Sequence, residues 1–174
     1  SRFGDSQLDT AQKKFGTASI LLDGTEDNVK VPDDEDFGFG SANFCLEAFI
    51  RPGSVSGIQR IFDLRNGSAT DTAPTMYLNG TTLHYAVGNT SQINGGTLAT
   101  GTWYHVAVAR NAGTTKLFLD GTELGTYTDA NNYEVSKPLI IGSDYQASPT
   151  EAFNGHVDEV RVSKASARFT AGFT

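Results

Sequence analysis

Phe44-Cys45-Leu46-Glu47-Ala48-Phe49-Ile50-Arg51 is the stretch that decides the fold. Its period is two: Phe44, Leu46, Ala48 and Ile50 fall on one side of an extended chain, and Cys45, Glu47, Phe49 and Arg51 on the other. One side is wholly apolar, so the stretch reads as a central strand with a face in a core.

The pattern recurs outward from it. Residues 58–64, 75–78 and 83–87 alternate in the same way, and Asn79-Gly80 supplies a type I′ hairpin turn between the last two. Residues 103–109 pair with 115–119 across Asn111-Ala112-Gly113, placing Tyr104, Val106 and Val108 on a face against which Phe118 packs. Asp120-Gly121 turns the chain again into 122–127. Nearer the N-terminus, strands at 19–22 and 28–31 flank the loop Asp23-Gly24-Thr25-Glu26-Asp27, and Pro32 ends the second of them. Residues 139–142 and 153–162 supply the last strands, and residues 164–169 form a short helical turn that packs Phe169 and Phe173 against the body. About a dozen short strands make an all-β, two-sheet antiparallel sandwich. The five residues Leu-Asp-Gly-Thr-Glu occur at both 22 and 119 with unlike flanks, which is turn chemistry used twice and not an internal repeat.

A chain of 174 residues fits one domain. Residues 1–14 are polar and aperiodic and read as a lead-in, with the domain over 15–174 and order beginning near Ala18. A start at Ser1 rather than Met suggests a processed product or a piece of a longer chain. The net charge of −7 argues against nucleic-acid and anionic-membrane partners, both of which need a positive footprint, and favours neutral glycans, proteins or cations. No run is long and apolar enough to insert in a bilayer as a helix. Cys45 is the only cysteine, so no intrachain disulfide can form.

The residues that carry chemistry in other sandwiches are absent in the required spacing. A retaining glycosidase needs two carboxylates about 5–5.5 Å apart, which alternate-residue spacing delivers. Here Glu47 is alone on its strand, Asp158-Glu159 are adjacent and face opposite ways, and Asp33-Asp34-Glu35-Asp36 lies beside a proline turn. That acidic run reads as a solvated loop with one helical turn, with metal binding as its alternative. His84, His105 and His156 are far apart and read as strand-surface residues, and no serine sits in a Gly-x-Ser-x-Gly elbow. The expectation is a protein that is not an enzyme. Asn66-Gly67-Ser68, Asn79-Gly80-Thr81 and Asn89-Thr90-Ser91 match the glycosylation pattern but read as turns.

Five phrases occur in the order found in one known family: Phe15-Gly16-Thr17-Ala18-Ser19 leading to Leu22-Asp23-Gly24; the strand from Phe44; Trp103-Tyr104-His105-Val106-Ala107-Val108; Leu117-Phe118-Leu119-Asp120-Gly121; and Phe153-Asn154-Gly155-His156-Val157-Asp158-Glu159-Val160-Arg161-Val162. Together they resemble the laminin-G-like, pentraxin-like jelly rolls of the concanavalin A-like lectin/glucanase superfamily. The resemblance implies a jelly-roll sandwich and a structural Ca²⁺, whose metal ligands here would be Asp158 with the loop residues Asp23 and Asp27. Alternation directs Asp158 into the sandwich unless its strand is bulged, and a carboxylate there needs a partner. The alternative is that it caps backbone amides or pairs with Arg161 or Lys30. The phrasing from Asp158 to Phe173 is similar to domains of tailed-bacteriophage tail and virion proteins.

The function expected is therefore a non-catalytic domain on a virion surface or in the extracellular space, recognising a cell-surface glycan or a neighbouring virion protein, within a larger chain or a homo-oligomer. The alternatives are a carbohydrate-binding or adhesion module from a secreted bacterial polysaccharide-active protein, and a purely structural decoration domain. Trp103, Tyr85, His105, Arg60 and Tyr77 are the candidate ligand contacts, because aromatic faces stack on sugars and planar polar groups fix hydroxyls. For each aromatic the competing role is core packing.

Overall fold

Strand β5 (Phe44–Pro52) realises the deciding alternation, in a computed structural model that describes residues 1–68, 71–133, 137–146 and 149–174. It lies between β10 (Tyr104–Asn111) and β14 (Asn154–Lys164), with Leu46 opposite Val108 and Val162, and Ile50 opposite Tyr104 and Val157. These apolar cross-strand pairs build the inner face of one sheet.

The other described strands are β1 (Arg2–Phe3), β2 (Gln7–Asp9), β3 (Ser19–Asp23), β4 (Asn28–Asp34), β6 (Ile58–Asp63), β7 (Pro74–Asn79), β8 (Thr82–Val87), β9 (Thr90–Gly95), β11 (Thr114–Leu119), β12 (Thr122–Thr128) and β13 (Lys137–Ile141). They form two antiparallel sheets of seven strands. The first runs β1-β4-β13-β6-β7-β8-β9 and the second β12-β11-β10-β5-β14-β3-β2. Between them lies one core containing Leu22, Phe39, Phe44, Leu46, Ile50, Phe62, Met76, Leu83, Val106, Leu117 and Phe153. In its middle the hydroxyls of Tyr85 and Tyr133 meet at 3.1 Å, and Tyr133 donates to the buried Asp129 at 2.9 Å. Burial pushes both phenols above their ordinary range.

Several expectations are corrected. Residues 1–14 contribute an edge strand to each sheet, β1 and β2, so order begins well before Ala18. Pro32 does not end β4: the strand runs on to Asp34, and the register with β13 shifts between Lys137 and Leu139 opposite the proline, which has no N–H to donate. The β7–β8 loop is Gly80-Thr81, with positive φ at Gly80 alone, the φ pattern of a type II′ turn rather than I′. Phe118 stands opposite Ala107 and packs with Cys45, Ala107 and Ala109 on the outer face of the second sheet, not against Val106 and Val108. Residues 165–174 contain no helical turn, although Phe169 and Phe173 do pack against the body. The acidic run carries its single 3-10 turn at Glu35–Phe37, capped by Asp34.

Candidate functional site

The two outer faces of the sandwich are treated differently by the chain. On the second sheet, the C-terminal tail and residues Lys14 and Phe15 lie across the outer face. Phe169 and Phe173 stack on each other at 3.9 Å over Cys45, Ala107, Ala109 and Phe118, and burial pushes the Cys45 thiol up to about 12. Arg168 pairs with Glu47 at 2.6 Å, and His105 Nε2 meets Glu47 at 3.1 Å beneath the two phenyl rings. From the other side, Phe15 packs edge-on against Phe49 and the Lys14 and Phe15 amides donate to Asp158.

This cover decides several of the candidates. His105 is occupied by Glu47 and the tail. Trp103 immediately precedes β10, half-buried, with its ring 6.3 Å from that of His156. At Asp158 the register against β5 shifts, Glu159 takes φ +49°, and the bulge turns the carboxylate outward, where it caps the amides of Lys14, Phe15 and Glu159. Asp158 is thus a clamp on the N-terminal segment.

On the first sheet the outer face is polar. Arg60, Tyr77 and His84 stand opposite one another on β6, β7 and β8; the guanidinium lies 4.6 Å over the Tyr77 ring, which stacks on His84 at 4.8 Å. Arg60 also pairs with Glu151 at 2.5 Å and donates to Thr75, and Arg65 forks onto Asp63. Burial pushes Asp63 up against the pull of Arg65, and burial lowers His84. Arg60 is 3 % exposed and Tyr77 8 %, so this ladder supports the face more than it offers rings to a ligand. Tyr85 is corrected outright: it is 0 % exposed, on the inner face beside Leu83, and presents nothing to a ligand.

Beside the ladder, Asp144, Tyr145, Gln146 and Pro149, which follow β13, line a cleft of about 290 Å³ together with residues of β1, β4 and β13. Phe3, half exposed, and Tyr145 supply aromatic surface; Asn28, Lys30, Glu26 and Gln146 supply polar groups. Arg65 lies 4.5 Å over the Tyr145 ring and helps fix it. Asp144 is 2 % exposed: its Oδ2 accepts from Gln146 at 2.6 Å, while its Oδ1 is buried with no partner. A buried carboxylate oxygen left unpaired is costly and marks a place where a donor belongs. A second groove, of about 390 Å³, lies at the rim near Asn89, Thr90, Tyr127 and Asn131, and contains no such atom among the described residues.

Behind the cleft wall, Asp5, Asp23 and Asp27 each bring a carboxylate oxygen within 4.8 Å of the others. Asp27 is 1 % exposed; its Oδ2 accepts from the Asp23 amide at 2.9 Å, and its Oδ1 is buried and unpaired. A Cβ at Gly4 would fall onto that carboxylate, so only glycine lets the N-terminal segment approach so closely. The donor set is hard oxygen and negative and fits calcium or a similar cation. Of the three ligands that the family resemblance implies, Asp23 and Asp27 lie together here with Asp5, whereas Asp158 lies apart on β14.

Tyr145, Asp144, Phe3 and Asp5 were not singled out by sequence reasoning. The only signal was turn chemistry, Gly142-Ser143-Asp144 and Gly4-Asp5-Ser6, which does not distinguish a site from a loop.

Residues 23–168 match the family described as the concanavalin A-like lectin/glucanases superfamily, of laminin-G type. Among solved structures, domain 4 of AbnA, a GH43 extracellular arabinanase from Geobacillus stearothermophilus in complex with arabinotriose, is 17 % identical with a TM-score of 0.66, over 92 % of this chain and 75 % of that one. The native heptameric SAP-like pentraxin of Limulus polyphemus is 16 % identical with a TM-score of 0.60, over 83 % and 74 %. The binding domain of botulinum neurotoxin serotype C1 is 15 % identical with a TM-score of 0.70; the match covers 96 % of this chain but only 44 % of that one. No curated protein sequence matches. With 146 of its 174 residues inside the family match and the jelly-roll topology in place, the chain belongs to the concanavalin A-like lectin/glucanase superfamily.

Proposed function

We propose that this chain is a non-catalytic, lectin-like domain that binds a glycan in the cleft over β1, β4 and β13. The observation that carries the reading is Asp144: a buried carboxylate oxygen without a partner, beside the half-buried Tyr145 ring and the Gln146 and Asn28 amides. Sugars present donor hydroxyls around an apolar ring face, and this set of groups answers both. The arabinanase domain solved with arabinotriose, and a botulinum neurotoxin type C whose cell entry depends on interaction with two ganglioside molecules, support a glycan as the ligand. We also place calcium at Asp5, Asp23 and Asp27, as a hard cation that neutralises the three carboxylates.

The setting we propose is a surface that meets glycans, outside a cell or on a virion. The likeness to the arabinanase domain, which spans three quarters of that chain, favours a module of a secreted polysaccharide-active protein. The phage-like C-terminal phrasing favours a virion protein.

A glycan array probed with the wild-type chain in calcium, followed by titration calorimetry of the strongest hit, tests the reading. Tyr145→Ala and Asp144→Asn each weaken that hit about 10- to 100-fold, the loss of a stacking or charge-assisted contact of about 1.5–3 kcal/mol. An array without hits, or binding indifferent to both substitutions in a folded chain, overturns it.

A further inference from the structure

The side chains that line the cleft leave it rich in acceptors. Both amide nitrogens are engaged within the chain: Gln146 Nε2 donates to Asp144 Oδ2 at 2.6 Å and to Thr150 at 3.4 Å, and Asn28 Nδ2 donates to the Glu26 carbonyl at 3.4 Å. What these residues keep for a ligand is two amide oxygens and the carboxylates of Asp144 and Glu26. Against the two carboxylates stands the Lys30 ammonium, and none of the three charges is in an ion pair among the described residues. Behind the cleft wall lie Asp5, Asp23 and Asp27, whose three charges a divalent cation does not fully cancel. The cleft is therefore negative with that cation or without it.

Asp144 gives this charge its effect on a ligand. It is 2 % exposed, so its field is weakly screened and acts through space as well as by contact. A sugar hydroxyl satisfies one lone pair and leaves the charge standing; an ammonium brings three donors and cancels it. Phe3, 48 % exposed, and the half-buried Tyr145 add ring faces that attract a cation as well as cover an apolar sugar face. A uronate or a phosphorylated sugar meets repulsion in the same place.

We infer that the ligand of this cleft is a glycan whose sugars carry a free primary ammonium, a 2-amino-2-deoxyhexose, preferred over the N-acetylated and the acidic sugar. This preference rests on the glycan reading of the cleft and adds to it the sign of the ligand's charge.

Titration calorimetry of the intact chain with three tetrasaccharides tests it: glucosamine, its fully N-acetylated counterpart, and galacturonate. Slightly below neutral pH, where the sugar amine is protonated, the glucosamine tetramer binds about tenfold or more tighter than the N-acetylated one, and the galacturonate does not bind. Asp144→Asn, in a folded chain, narrows the preference to below about threefold, and Glu26→Gln narrows it less. Asp36→Asn, an exposed carboxylate on the 3-10 turn and outside the cleft lining, keeps it, which separates the charge of the site from the net charge of the chain. Equal binding of the glucosamine and N-acetylated tetramers, or a preference that survives Asp144→Asn, overturns the ammonium and leaves the glycan reading intact. So does an array hit on a neutral or acidic sugar in a chain that ignores the glucosamine tetramer. A tetralysine peptide that binds as tightly as the glucosamine tetramer overturns the assignment to a sugar. An array without hits, together with no binding of any tetramer, overturns the glycan reading and the preference with it.

Discussion

Removing the aromatic tail by the double substitution Phe169→Ala and Phe173→Ala tests whether the C-terminal segment is a structural cover. Both rings are half-buried on the patch made by Cys45, Ala107, Ala109 and Phe118, and they stack on each other at 3.9 Å. Burying a phenyl ring completely stabilises by up to about 3 kcal/mol, so half-burial contributes about 1–1.5 kcal/mol for each ring. The stacked pair adds about 0.5–1.5 kcal/mol, for a total of about 2.5–4.5 kcal/mol. In a domain of this size that lowers Tm by about 5–18 °C. A second readout is local. Cys45 is 0 % exposed with its thiol pushed up to about 12, so in the native chain it reacts with a disulfide reagent only on opening. With the tail released it reacts at least tenfold faster, while far-ultraviolet circular dichroism and the urea m-value stay those of the folded sandwich. A variant that keeps slow Cys45 labelling and melts within 2 °C of the wild type refutes the reasoning, because the rings would then contribute nothing to closing that face.

Other perturbations follow from single residues. Ala112 sits at φ +47° in the two-residue β10–β11 turn, where a side chain that tolerates the left-handed region is preferred; Ala112→Asn stabilises by about 0.5–1 kcal/mol in urea titration, and a lower midpoint would contradict the turn geometry. Tyr133→Phe deprives Asp129 of a donor and Tyr85 of a partner inside the core and costs about 1–3 kcal/mol by chemical denaturation. Burial lowers the pKa of His84 from 6.5, so as pH falls through about 6.5 the unfolded chain takes up the proton first and stability declines towards the folded value. NMR titration places the His84 midpoint below that of a free imidazole, and His84→Gln flattens the acid limb of the stability curve; a midpoint above 6.5 would count against its burial.

The sandwich was legible because alternation and two-residue turns are local signals. Phe44 to Arg51 announced a strand with one core face, and β5 has that face in the core. The error at Phe118 shows how narrow the margin is. Reading the β10–β11 loop as Asn111-Ala112-Gly113 pairs Phe118 with Val106; the actual loop is Ala112-Gly113, the pair is Ala107 with Phe118, and the ring moves to the opposite face. A one-residue slip inverts a strand because its side-chain period is two. Tyr85 was readable in principle, since it alternates with Leu83 and Val87 and shares their inward face. The cleft was not. It depends on β13 lying beside β4, from which more than a hundred residues separate it in the chain, and no local pattern encodes that crossover.

The distribution of unpaired charge separates structural from functional carboxylates. Among the described residues, three buried carboxylate oxygens accept no hydrogen bond: on Glu47, Asp27 and Asp144. Glu47 Oε1 has the Arg168 guanidinium 2.6 Å away, so its charge is answered within the chain. The other two have no cation, and both lie at the β1–β4–β13 side of the first sheet, one in the cleft and one behind its wall. Leaving a buried charged group unsatisfied costs about 1–3 kcal/mol or more. On the glycan reading proposed above, the charge at Asp144 destabilises the ligand-free domain and stabilises the complex, which yields a test that a purely structural role fails. Asp144→Asn keeps the acceptor that Gln146 and Thr150 use and removes the charge. Without ligand it raises Tm by about 1–4 °C, the shift for about 0.5–1 kcal/mol in a chain of this size, while sugar affinity falls. Loss of stability in the ligand-free chain would mean that the carboxylate serves the 143–153 segment and not a ligand.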